Sequence, residues 1–162
     1  KAEIMELMNN AESREGLSPP VSHKGTFNAS PLIAAGANAA MEHLSTGAPQ
    51  ATADAMAARL REGITGLMAR HGIAGTVYGE SSTCHMYFGA EALDDLSPAQ
   101  IRSVQPALVN GLRGGLLKRG VDLMSHTSCV TSAAHDAALI DEALEAFDST
   151  FAALIKDGVI AA

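Results

Sequence analysis

The sequence predicts an α+β fold, with leading helices followed by a small antiparallel sheet that carries helices on one face. Three observations carry this. After residue 72 the side-chain patterns alternate in the order β-β-α-β-β-α. The 162 residues are 47% hydrophobic but only 4% aromatic, with no Trp. A core of Ala, Leu, Ile, Val and Met suits close-packed helices better than an all-β sandwich. Finally, the first 72 residues show helical patterns and no strand, as expected of helices that pack on something else.

Residues 2–8, "AEIMELM", read as one or two helical turns, and the turn-rich stretch 9–22 as an exposed loop. Ser30 and Pro31 are an N-cap and first-turn pair, opening a helix that runs to about Leu44. Its "AAGANAA" stretch is nearly all small residues, which permits close approach of another backbone. "STGAP" breaks it. The next helix is expected over Thr52–His71, with Met56, Leu60, Ile64 and Leu67 on one stripe and Gly72 as its stop. Two strands follow at 76–79 and 84–89; in the second, Cys84, Met86 and Phe88 share one face and His85 and Tyr87 the other. "SPAQ" at 97–100 is a capping box. Pro106 divides a short helix from a longer one ending near Arg119, and Gly120 stops it. Two short strands are expected at 121–125 and 127–132. Asp136 caps a last helix whose stripe is Ile140, Leu144, Phe147, Phe151 and Leu154, and Gly158 closes it.

This length holds one ordinary domain or two small ones. The net charge is −7 and no Lys/Arg stripe appears, so nucleic acid is not an expected partner. No apolar run is long enough to span a bilayer, and no secretory leader is visible. Cys84 and Cys129 are too few for a disulfide framework and match no zinc spacing; they read as buried thiols of a cytoplasmic protein. The acidic run "EALDD" reads as a solvated loop rather than a metal site. The chain begins at Lys1 rather than Met, as a processed chain or a piece of a longer protein would.

The stretch "HKGTFNASPLIAAG" at 23–36 holds the candidate site. A helix N-terminus exposes unpaired N–H groups and carries about half a positive charge. A nearby glycine lets a phosphate approach the backbone, and a threonine hydroxyl adds a donor. Gly25 and Thr26 can therefore hold a phosphate, although the pattern is neither a P-loop nor a dinucleotide fingerprint and is equally that of an ordinary loop and cap.

This stretch resembles the segment of class III (fold-type I) pyridoxal-phosphate aminotransferases that opens G-T-[FL]-x-x-x-P-L before a run of small residues, a segment shared by the glutamate-1-semialdehyde aminomutases. "ADAMAARLREGITGLMARHGIAGTV" resembles the family's long helix leading into the C-terminal domain. "LLKRGVDLM" and "TSAAHDAALIDEALEAFDSTFAAL" resemble its last strands and closing helix. The resemblance covers essentially the whole chain. It implies that residues 1–47 are a remnant of the large PLP-binding domain, and 48–162 the connecting helix and small C-terminal domain. It implies a homodimer acting on a small amino or keto substrate, with Gly25 and Thr26 reaching the cofactor phosphate of the partner subunit. No catalytic residue is assigned. The family's catalytic lysine lies upstream of the segment like "AEIMELM", so none of Lys1, Lys24, Lys118 and Lys156 takes that role, and the chain alone is expected to be inactive. Where the aminomutases usually carry a glutamate, this chain has the shorter "MSHTSCVTS" with no acid, so the resemblance leaves a general class III transaminase open beside the aminomutase.

Among the histidines, His135 is expected to bond a backbone group ahead of the last helix. His85 and His126 are expected on strands, as partly buried, hydrogen-bonded residues, with substrate contact by His126 as the alternative. The rival to the enzyme reading is a non-enzymatic α+β binding or interaction domain, with the Gly-Thr turn a plain helix cap.

Overall fold

A computed structural model describes residues 25–28, 30–90, 92–103, 105–123 and 126–161, together with Met5. The expected helical turns at 2–8 lie outside the described residues apart from Met5, which is helical, and so does the loop at 9–22. The chain divides into two compact units, 1–43 and 44–162.

The described part of the first unit is a turn followed by helix α1, Pro31–Leu44, as the Ser30–Pro31 pair predicts. None of the residues of α1 is buried, and Leu32, Ile33 and Met41 are exposed.

In the second unit, α2 spans Ala48–Arg70, one turn earlier at its start than expected. Gly47, in the left-handed region at φ 74°, turns the chain, and Pro49 sits in the first turn, where its missing N–H costs nothing. Strands β1 (Gly75–Tyr78) and β2 (Thr83–Phe88) pair antiparallel, with Val77 opposite Met86. A 3₁₀ turn at Leu93–Asp95 occupies the acidic run. Next come α3 (Pro98–Arg102), α4 (Pro106–Leu117), β3 (Ser128–Val130) and α5 (Ala137–Lys156). The capping box is formed: Gln100 N–H donates to Ser97 Oγ, and Ser97 N–H donates to Gln100 Oε1 at 3.0 Å. Asp136 caps α5 by accepting from Leu139 N–H at 2.9 Å.

Three helices end in the same way. Gly72, Gly120 and Gly158 have φ of 68°, 86° and 69°, a region that only glycine enters without cost. In each case the next residue donates back five positions: Ile73 N–H to Met68 C=O, Val121 to Leu116, and Val159 to Leu154, all at 2.9–3.0 Å. These are Schellman closures, and the paired residues pack on the core.

Among the described residues the sheet has three strands in the order β1-β2-β3, not the four expected. Residues 121–123 are not a strand. The Val121 N–H is used in the closure of α4, and Leu123 is anchored by burial of its side chain rather than by ladder pairing. His126 likewise lies in a turn at φ 31° rather than on a strand.

Cys84 and Met86 face the core from β2, against Ile64 and Met68 of α2, Leu112 of α4 and Phe147 and Phe151 of α5. The buried stripe of α2 is Ala53, Ala57, Leu60, Ile64 and Met68; Met56 and Leu67, expected on it, flank it half-buried. Small residues let the helices close on one another. A Cβ at Gly115 on α4 would lie 2.6 Å from Thr150 Cγ2 on α5. Alanine at positions 53 and 57 serves the same end on α2.

Candidate functional site

Gly25, Thr26, Phe27 and Asn28 form an exposed turn ahead of α1. Asn28 N–H donates to Gly25 C=O at 3.2 Å, and Ser30 N–H to Phe27 C=O at 3.1 Å. The first helical bond follows at once, from Ala34 N–H to Ser30 C=O at 2.9 Å. Two tight turns thus feed directly into the helix. The lack of a side chain at Gly25 matters for space, since a Cβ there would lie 2.8 Å from Asn28 Oδ1. Thr26 is exposed in this turn.

This donor set suits an anion. Backbone N–H groups and a hydroxyl at the positive end of a fourteen-residue helix suit a phosphate oxygen. They do not suit a cation, and among the described residues no three His, Cys, Asp or Glu side chains cluster to hold a metal. Nor does the turn bring a nucleophile or a proton carrier. Lys118, at the C-cap of α4, and Lys156, in the last turn of α5, are both exposed, where the helix dipole explains them. Lys1 and Lys24 lie outside the described residues.

Two histidines of the second unit, His135 and His85, are held by hydrogen-bond partners. His135 Nδ1 accepts from Ser132 N–H at 3.0 Å, the backbone bond expected of it. On the sheet, His85 Nδ1 lies 2.7 Å from Ser128 Oγ on the neighbouring strand, with the Tyr78 ring 5.2 Å away. A cavity of about 300 Å³ opens between the end of β2, α3 and the C-terminal residues, lined by Met86, Phe88, Gln100, Ser103 and Ile160. Among the described residues its walls carry amides and hydroxyls but no charged side chain. Sequence spacing gave no hint of the His85–Ser128 contact, because it depends on strand register.

No family model matches the chain. The glutamate-1-semialdehyde 2,1-aminomutase of Pyrobaculum arsenaticum is 32% identical over 153 residues, covering 93% of this chain and 34% of that protein. The enzyme of the same name from Pyrobaculum aerophilum is 30% identical over 159 residues, covering 97% of this chain and 36% of that protein. The chain therefore spans about a third of the length of the curated relatives it matches. Among solved structures, an omega-transaminase from Sphaerobacter thermophilus superposes with a TM-score of 0.70 at 24% identity, covering 94% of this chain and 34% of that one. The resemblance read from the sequence is borne out on both counts: the relatives are aminomutases by sequence, and the fold is that of part of a transaminase.

Proposed function

We propose that this chain is the C-terminal part of a pyridoxal-phosphate-dependent class III aminotransferase or aminomutase, in which Gly25 and Thr26 bind the coenzyme phosphate across a homodimer interface. The observation that carries the proposal is the exposed Gly25–Thr26 turn leading straight into α1, in a chain similar over nearly all its length to glutamate-1-semialdehyde aminomutases.

The residues present fit one end of the coenzyme. The turn offers N–H and hydroxyl donors to a doubly charged phosphate, and α1 adds the favourable field of its N-terminus. Pyridoxal phosphate supplies the electron sink for bond breaking at an amino-bearing carbon. Gly25 and Thr26 hold and orient; they move no proton. The residue that bonds covalently to the coenzyme is expected from the remainder of the intact protein, so this chain alone performs no transamination. The exposed apolar residues of α1, Leu32, Ile33 and Met41, are the surface offered for dimerisation. The substrate class is a small amino or keto compound.

The test is Thr26→Ala in the intact protein, with coenzyme retention read by absorbance during dialysis. Loss of one hydrogen bond to a charged group weakens retention by about 1–2 kcal/mol, roughly a 5–30-fold loss of affinity. An unchanged affinity counts against the role of Thr26. For the chain alone, borohydride reduction in the presence of pyridoxal phosphate should leave no stoichiometric adduct; an adduct accompanied by turnover would overturn the proposed inactivity.

A further inference from the structure

The two cysteines are 45 residues apart in the chain but directly opposite each other in the sheet, Cys84 of β2 facing Cys129 of β3. Met86 N–H donates to Thr127 C=O at 3.0 Å and Thr131 N–H to Ser82 C=O at 2.9 Å. Since bonded pairs recur every second residue, Cys84 and Cys129 form the bonded pair between these two. Opposite residues of an antiparallel pair project to the same face, and here both thiols lie on the side that packs against the helices. The Cα separation of such a pair is about 5.5 Å, within the roughly 4.4–6.8 Å that a disulfide bridges. Both thiols are free.

We propose that Cys84 and Cys129 are a reversible redox site, a dithiol that a low-molecular-weight disulfide oxidises to a cross-strand disulfide.

The two sulfurs have unequal access. Cys84 is fully buried, whereas Cys129 is half-buried and lines a cavity of about 90 Å³ with Leu123, His135 and Phe147. Val130 and Leu139, which also line it, are 42% and 47% exposed, so the cavity reaches solvent. Cys129 is therefore the attacking thiol and Cys84 the resolving one. The hydrogen bond between the side chains works in the same direction. It holds Cys129 below the ordinary thiol value and, together with burial, pushes Cys84 above it. The upward push that Cys129 exerts ends once its sulfur is in a mixed disulfide.

In the first step the Cys129 thiolate attacks one sulfur of the small disulfide, forming a mixed disulfide and releasing one small thiol. In the second, Cys84 gives up its proton to solvent and attacks the Cys129 sulfur, releasing the second small thiol. The protein loses two electrons and two protons, and the small disulfide gains both. The product staples β2 to β3 beside the His85–Ser128 contact. No part of this depends on the proposed coenzyme role.

The chain is equilibrated in glutathione buffers from fully reduced to strongly oxidised, acid-quenched, unfolded, alkylated and weighed. The expected oxidised product has lost two hydrogens, takes up no alkylating agent, and yields one peptide pair joining Cys84 to Cys129. Two alkylated thiols at the oxidised end, a persistent glutathione adduct, or a crosslink between two molecules would each overturn the proposal. In Cys84→Ala the glutathione adduct on Cys129 should accumulate, whereas in Cys129→Ala Cys84 should stay at least about tenfold less modified than Cys129 does in the first variant. Equal modification of the two would overturn the assignment of Cys129 as the attacking thiol.

Discussion

His71 Nε2 lies 2.6 Å from Asp148 Oδ1, joining the C-cap of α2 to the middle of α5. Arg70 pairs with the same carboxylate, and the His71 ring stands edge-on to Phe151, 6.2 Å between centroids. One aspartate thus anchors the end of a helix to its neighbour, at the margin of the aromatic core.

That contact makes stability depend on acid. The His71 hydrogen bond, and then that of Arg70, hold the Asp148 carboxyl below its ordinary value of 3.8. Because the folded value is depressed, the contribution is fully present above 3.8 and is lost as the pH falls through the folded value. Asp148→Asn should melt at a lower temperature than the wild type at neutral pH. The gap should close as the pH is lowered through the carboxylate range. A gap that stays constant with pH would mean that the carboxylate charge contributes nothing.

Gly75→Ala should destabilise the sheet. A Cβ at Gly75 would run into the Tyr87 carbonyl oxygen and the Met68 methyl. The carbonyl cannot retreat without disturbing the Gly75–Phe88 pairing. The cost is expected at about 1–3 kcal/mol, read as a lower urea midpoint with an unchanged slope.

Thr150→Val should stabilise the chain. Thr150 is fully buried between α4 and α5, and its hydroxyl has no hydrogen-bond partner among the described residues. Valine keeps the shape that fits against Gly115 and removes an oxygen that was stripped of water without compensation. The expected gain is about 1 kcal/mol, measurable by thermal or urea melting.

Thr131→Val should act in the opposite direction. The Thr131 hydroxyl donates to Ala53 C=O at 2.6 Å in a buried position, tying the end of β3 to the first turns of α2. The substitution loses that bond with little change in shape, for a cost of about 1 kcal/mol by the same measurement. Opposite signs at two buried threonines, changed to the same residue, would isolate the hydrogen bond as the cause.

The amino-acid order determined whatever is decided within a few residues. Ser97 with Gln100, Asp136 with Leu139, and the glycines at 72, 120 and 158 mark helix ends, because capping is satisfied by near neighbours. The Gly25–Thr26 turn was legible for the same reason, as a short motif ahead of a proline-initiated helix. Tertiary structure decided which groups meet across long separations. It chose Ala53 and Ala57 over Met56 for the buried stripe of α2, since the partner surface, not periodicity alone, selects among adjacent residues on a helix face. It withheld a fourth strand because the Val121 amide was already committed to closing α4. And it set Cys84 against Cys129, and His71 against Asp148 across 77 residues, pairings that strand register and helix packing create and that no local spacing encodes.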